Sequence, residues 1–402
     1  MSIVKSGFHS SPREIILFAT QFTAFFTFYF IFSAHVLPKI ISSEDSLHLI
    51  QALFSLTIAA TLFGLSVLKY KPVRTSILLG TYVSTFGCTL LLLFVSGLVV
   101  ISVLVFLVGV LVGIGQLSFL AHFWKTTLSE ERGRVGGLIA FTTLPIYIVL
   151  SEFLAPGLDL SGRVILAAAL SLVPLIVTIF RNNNALALAK KENEYPEIRT
   201  IILFSIPWLL FCVINSTLSR NISLDALQLV SSSSLGVMII LQGVATLIGT
   251  LVGGLLADFF GRRLTLALSV TLYGIGMALS GLIQSVTFAY FSFFAEGLSW
   301  GILLTLYIFV IWGDLANKGN YTRLYALGFS AFYFASALEP FSTLILIPAI
   351  ASAFLGCTVV FLCNVPIALA PELQSSDFLE KIRLKMHIKA VKKIAKKYEN
   401  QG

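Results

Sequence analysis

Glu296 stands ten residues into an apolar run that begins near Val286. At about 1.5 Å per helical residue it lies roughly 15 Å down, half of a ~30 Å hydrocarbon core. A charge at that depth is costly, so a carboxyl there reads as a functional group able to load and release a proton. The plainer reading is a protonated carboxyl satisfied by a neighbouring helix. His35, Glu152 and Glu339 lie towards the outer ends of apolar runs. They are expected either as solvated interfacial groups or as an outer gate, since His titrates near neutrality. Tyr29, Gln116 and Asn215 offer hydrogen bonds to a solute from within such runs. A different chemistry sits in Gly254-Leu-Leu-Ala-Asp258-Phe-Phe-Gly261-Arg262-Arg263, where two glycines, one acid and two bases bracket a tight turn. There, Asp258 is placed to meet the positive end of a neighbouring helix.

The elements that hold these residues follow from composition. The 402 residues are 57% hydrophobic and 11% charged, with a mean hydropathy of +0.94. Soluble domains carry about 25% charged residues, so the chain reads as all-α and polytopic in a membrane. Apolar runs recur near 15–37, 47–67, 75–96, 98–122, 135–155, 163–180, 200–219, 232–256, 264–284, 287–311, 324–340 and 345–368. None alternates with period two, which argues against a barrel. The first is too long for a cleaved signal and is read as a span. Cys88, Cys212, Cys357 and Cys363 fall inside runs and are expected as free packing residues. Pro145, Pro174 and Pro207 are expected kinks.

Basic residues sort by side. With twelve spans and both termini cytoplasmic, only Lys39, Arg163 and Arg220 of the 27 Lys and Arg fall outside. The expected organisation is a cytoplasmic N-terminus (1–14), a six-helix bundle (15–180), a cytoplasmic linker (181–199), a second six-helix bundle (200–370) and a cytoplasmic tail (371–402). The two bundles match internally. Gly109, Gly113 and Trp124 recur as Gly297, Gly301 and Trp312, while Gly64 pairs with Gly254 and Arg134 with Arg323, all at offsets of 188 to 190. A shared offset at shared positions marks a duplicated unit.

The 254–263 motif resembles the G-x3-D-x2-G-R-[KR] signature of the major facilitator superfamily. Glu131-Arg132-Gly133-Arg134 is similar to that family's loop between spans four and five. The resemblance covers about 10 to 370 and implies two pseudo-symmetric six-helix bundles that rock around a central solute path. It implies that spans one, four, seven and ten line that path, which would turn Glu296, Tyr29, Gln116 and Asn215 towards it. It also implies a cytoplasmic gate in which Gly254, Asp258, Gly261, Arg262 and Arg263 abut span five near Arg132 and Arg134. The first bundle departs from the signature: Leu68 stands where the acid belongs, and Lys71-Pro72-Val73 where the Gly and bases belong. Gly109 stands where drug/proton antiporters of the family often carry Arg.

No Lys or Arg lies deep in a run, which disfavours solutes with fixed multiple negative charge. No phosphate loop, metal-ligand cluster or nucleophile–base pair is present in the sequence, so no cofactor, metal or enzymatic activity is expected. The expected function is proton-coupled transport of a small neutral, weakly basic or hydrophobic organic solute across the cell membrane, by a monomer. A facilitator-fold sensor or lipid-handling protein is the alternative. Residues 377–398 form a basic amphipathic pattern suited to anionic inner-leaflet lipids, without the aromatic platforms that nucleic acid needs.

Overall fold

A computed structural model of the chain describes residues 9–68, 75–180, 196–228, 232–282, 286–316, 320–344 and 349–374, with isolated positions of the tail. The described residues are helical with no strand among them. In chain order we label α1 (Pro12–Ile40), α2 (Glu44–Val67), α3 (Thr75–Leu91), α4 (Leu98–Thr126), α5 (Ser129–Gly157) and α6 (Leu160–Phe180). These are followed by α7 (Ile198–Gln228), α8 (Ser232–Phe260), α9 (Arg262–Leu282), α10 (Val286–Leu315), α11 (Tyr321–Leu338) and α12 (Ala349–Leu362). Eight helices among the described residues are long and apolar enough to cross a membrane. They fall in α1, α2, α4, α5, α6, α7, α8 and α10; α3 and α12 belong to shorter apolar helices. The expected runs 264–284 and 324–340 are helical as α9 and α11, which are not among these eight.

Local chemistry sets the helix ends. Pro12 occupies the first turn of α1, and the Ser11 hydroxyl accepts from the Glu14 N–H, filling one of the orphan donors there. Glu131 binds the chain end to the start of α5: its carboxylate accepts from the N–H groups of His9 (2.6 Å) and Ser10 (3.1 Å) and from the Ser10 hydroxyl (2.6 Å). Helices α1, α5 and α10 each contain a wider π-helical turn, at Phe32–Val36, Ile148–Leu154 and Leu306–Val310. Such turns bend a helix and often mark functional positions. Pro145, Pro174 and Pro207 lie inside α5, α6 and α7.

Within the first six helices α1 packs on α5 and α6, α2 on α4, and α3 on α4 and α6. Within the last six, α8 and α9 pack on α10, α9 on α12, and α7 on α11 and α12. Two seams join the sets: α5 against α8, and α2 against α11. The repeated glycines perform the same local task in each set. A Cβ on Gly109 or Gly113 would press on Thr57 or Thr61 of α2, and one on Gly297 or Gly301 would strike the Gln242 or Thr246 carbonyl of α8. Small residues at these crossings let backbones approach where lipid supplies no hydrophobic drive. The four cysteines are free.

The linker residues 181–195, Lys71-Pro72-Val73, and all eight basic residues of the tail (Lys381, Arg383, Lys385, Lys389, Lys392, Lys393, Lys396 and Lys397) lie outside the described residues.

Candidate functional site

One end of the bundle is closed by buried charge. Asp258, at the end of α8, reaches across the seam to α5. It accepts from the N–H groups of Gly133 (3.1 Å) and Arg134 (2.8 Å) and from Arg134 Nε (3.1 Å). Arg262 Nη1 donates at 2.9 Å to Asp258 Oδ1, the oxygen that also accepts from Gly133, and Arg262 Nε donates to Asp314 Oδ2 at 2.8 Å. Arg132 pairs with Asp314 Oδ1, which also accepts from the Ser129 hydroxyl at 2.7 Å. Three guanidiniums and two carboxylates thus join α5, α8, α9 and α10. Asp258, Arg262 and Arg132 are at most 2% exposed and Asp314 5%. Ions this far from water are stable only with their full hydrogen-bond complement. Here the remaining donors find carbonyls: Arg262 bonds to those of Ala257 and Ser129, and Arg132 Nη2 to that of Thr127 at 3.0 Å.

Glycine permits the approach. A Cβ on Gly254 would strike the Gly133 carbonyl, and one on Gly133 would lie 2.5 Å from Asp258 Oδ1. Gly261 turns the chain between α8 and α9 at φ +105°, a left-handed value that L side chains rarely adopt. A side chain there would also meet the Glu372 carboxylate, which caps α9 by accepting from the N–H groups of Arg262 (2.7 Å) and Arg263 (3.2 Å). Arg263 itself points away from the carboxylates, to the Ala370 carbonyl at 3.4 Å. Trp124 completes the closure by donating to the Gly313 carbonyl at 2.8 Å while stacking on Tyr321 at 4.2 Å.

Towards the opposite end α1, α2 and α11 enclose a polar cavity of about 280 Å³. Tyr29, His48, Gln51, Ser55, Ser336 and Glu339 contribute its polar lining, and none of its lining residues is Lys or Arg. Tyr29 shares a 2.8 Å hydrogen bond with Ser55 and meets Tyr333 edge-on at 5.0 Å. The Tyr333 hydroxyl donates to Gln116 Oε1 at 2.9 Å. Tyr29 and Gln116, on α1 and α4, therefore communicate through an α11 residue that sequence reading did not select. Nothing in the spacing of the aromatic residues of α11 separates Tyr333 from Phe329 or Phe332.

Asn215 lies elsewhere. Its side-chain oxygen accepts from the Tyr273 hydroxyl (3.2 Å) and Trp300 Nε1 (2.9 Å), joining α7, α9 and α10. Glu296, one turn before Trp300, is buried, and a Cβ on Gly276 of α9 would lie 3.4 Å from its Cγ. It does not line the polar cavity. His35 Nε2 contacts the Ser151 hydroxyl at 3.3 Å, and Glu152 accepts from the Tyr147 hydroxyl at 3.2 Å. Glu339 borders the cavity at the end of α11. These three outer groups sit on separate helices.

Asp314 is the charged residue that sequence reading missed. It stands two residues beyond Trp312, but the internal offset carries it to Thr126, so the repeat supplied no acidic counterpart. No metal-binding group of His, Cys, Asp and Glu occurs among the described residues.

Among the described residues, a helical bundle with eight apolar helices of membrane-crossing length marks a multi-pass membrane protein. Solved structures place it further. It is similar to the human organic anion transporter MFSD10 (TETRAN), with a TM-score of 0.67 and 13% identity over 89% of this chain and all of that one. It is also similar to the fucose:proton symporter FucP of E. coli, with a TM-score of 0.67 and 10% identity over 90% of this chain and 99% of that one. The chain has the fold of the major facilitator transporters. No family model matches its sequence, and no curated protein does either.

Proposed function

We propose that the protein is a secondary transporter of the cell membrane that works as a monomer by alternating access. In this reading twelve spans form two six-helix bundles joined by the 181–199 linker, with both termini cytoplasmic. The observation that carries the proposal is the asymmetry of the seam. One end is locked between bundles by Asp258, Asp314, Arg132, Arg134 and Arg262, while a polar cavity lies towards the other. The pairs that cross between bundles, Arg132–Asp314 and Arg134–Asp258, exist only while the bundles meet, and such contacts bias a two-state equilibrium. The end that it closes is the cytoplasmic one in the proposed topology, so the structure corresponds to the cytoplasm-closed state.

The solute is a small neutral, weakly basic or hydrophobic organic molecule, with Tyr29 and Gln116 on its route. Support comes from the polar cavity, which is lined by Glu339 and His48 and by no Lys or Arg. Coupling to protons is assigned to Glu296, on its depth in α10 and its burial against α9. Its carboxyl reaches the solute route through the rocking of α10 rather than by lining the cavity. Flux into proteoliposomes with and without an imposed pH gradient tests both parts. Glu296→Gln is expected to abolish gradient-driven uptake while sparing exchange of internal for external solute. Full gradient-driven uptake in that variant removes the coupling assignment, and absence of any saturable flux for the wild type removes transport.

A further inference from the structure

The geometry points to a binding site for one anionic phospholipid at the α2–α11 seam, with Arg323 holding its phosphate. The two seams differ at the charged end. At α5–α8, Gly254 meets Gly133 backbone to backbone and Asp258 engages Arg134. The internal offset pairs Gly254 with Gly64, Asp258 with Leu68 and Arg134 with Arg323. A Cβ on Gly64 would find nothing within 4 Å, and Leu68 is 77% exposed. The second seam therefore lacks both the close crossing and the carboxylate. Arg323 is exposed and makes no ion pair among the described residues.

A groove occupies the space that the missing contact leaves. Two apolar cavities of about 440 and 450 Å³ adjoin there, sharing Phe63 and Leu327 as lining residues. Each is of ordinary ligand size, about 300–1,000 Å³. Their walls run from Val67 to Leu56 on α2, from Ile198 to Leu209 on α7, and from Arg323 to Phe334 on α11. Each stretch is twelve residues, so eleven rises of about 1.5 Å cover roughly 16 Å, the depth of one leaflet of a ~30 Å core. Leu56, Val67, Ile198 and Phe334 are exposed, so the groove opens sideways onto the bilayer. A cation at the interfacial end of an apolar groove one leaflet deep matches a phosphate ester with acyl chains. The leaflet is that of the charged end, the cytoplasmic one in the proposed topology. Since α2 belongs to one bundle and α7 and α11 to the other, the lipid bridges the two bundles beside the α2–α11 contact.

Native mass spectrometry of the full chain, with dioleoyl phosphatidylglycerol or dioleoyl phosphatidylcholine added at equal mole fraction, tests the site. The wild type is expected to retain one phosphatidylglycerol in preference. Arg323→Gln should weaken that retention about fivefold, the worth of one basic residue near an anionic surface, and Arg323→Lys should restore most of it. Ala60→Trp, on the exposed wall of the groove, should displace both lipids. The tail is unchanged in these variants, so its general attraction to anionic lipid cancels. Equal retention of the two lipids by the wild type overturns the proposal. So does an unaltered phosphatidylglycerol adduct in both Arg323→Gln and Ala60→Trp, or a detergent adduct in its place.

Discussion

Asp314→Ala opens the closed end of the bundle. The substitution leaves Arg132 and Arg262 buried without their shared carboxylate, since Asp314 Oδ1 pairs with one and Oδ2 with the other. Breaking a buried pair from one side costs about 3–5 kcal/mol, and here the cost falls on Arg132, since Arg262 keeps Asp258 as a partner. The protein escapes that cost by separating α5 from α10, which returns the Arg132 guanidinium to water. The closed state then loses at least about a hundredfold of its population relative to the open one. Alkylation of a cysteine placed at Thr250, buried in the α5–α8 seam, reads the change from the charged side. Its rate should rise by a similar factor in Asp314→Ala. Asp258→Asn should have a smaller effect, because the amide oxygen still accepts from one of the two N–H groups and Asp314 still pairs with Arg132 and Arg262. Equal alkylation rates in wild type and Asp314→Ala would show that the cluster does not hold the seam.

Gly254→Val acts on the same seam through volume. The added Cβ collides with the Gly133 carbonyl and lies 3.3 Å from the Gly137 Cα, and neither backbone group can turn aside. Overpacking costs about 1–3 kcal/mol where side chains can move, and here only separation of α5 and α8 relieves it. Solute binding from the charged side should survive, while uptake from the opposite side falls below a tenth of the wild-type rate. Gly64→Val is the internal control: its Cβ points into open space, so uptake should remain near normal. Equal loss of uptake in both variants would mean that glycine serves helix flexibility in general rather than the α5–α8 crossing.

The fold was legible because a membrane imposes few solutions. Long apolar runs, the sorting of Lys and Arg, and an internal offset near 189 were enough to expect a facilitator-type bundle. Solved structures of that fold agree over about nine tenths of the chain. The charged end was partly legible. Asp258 announced itself through the spacing of Gly254, Gly261 and Arg262, whereas Asp314 has no counterpart in the first bundle and follows an unremarkable turn. The polar cavity was less legible still. Tyr29 and Gln116 stood out as polar groups in apolar runs, but their link through Tyr333 depends on how α11 packs against α1 and α4. Facing direction was the hardest property to read. Glu296 and Asn215 turn into the contacts among α7, α9 and α10, because Gly276 leaves room for one and Tyr273 and Trp300 bond the other. Depth follows from counting residues; facing requires the neighbours.

The departures from internal repetition carry the mechanism as much as the repetition does. Leu68 in place of an acid leaves Arg323 without a carboxylate partner among the described residues and a groove beside the α2–α11 contact. The lock therefore rests on one seam, which makes the α5–α8 end the part of the molecule where single substitutions shift the balance most.

The central claim is that the charged end opens and closes as two bundles rock. Distances between spin labels at Glu130, on the exposed start of α5, and Leu264, on the exposed start of α9, measure this directly in lipid nanodiscs. The wild type should show two populations, the shorter matching the closed arrangement described here, and Asp314→Ala should transfer most of it to the longer. A single short distance, unchanged by Asp314→Ala, would contradict the account.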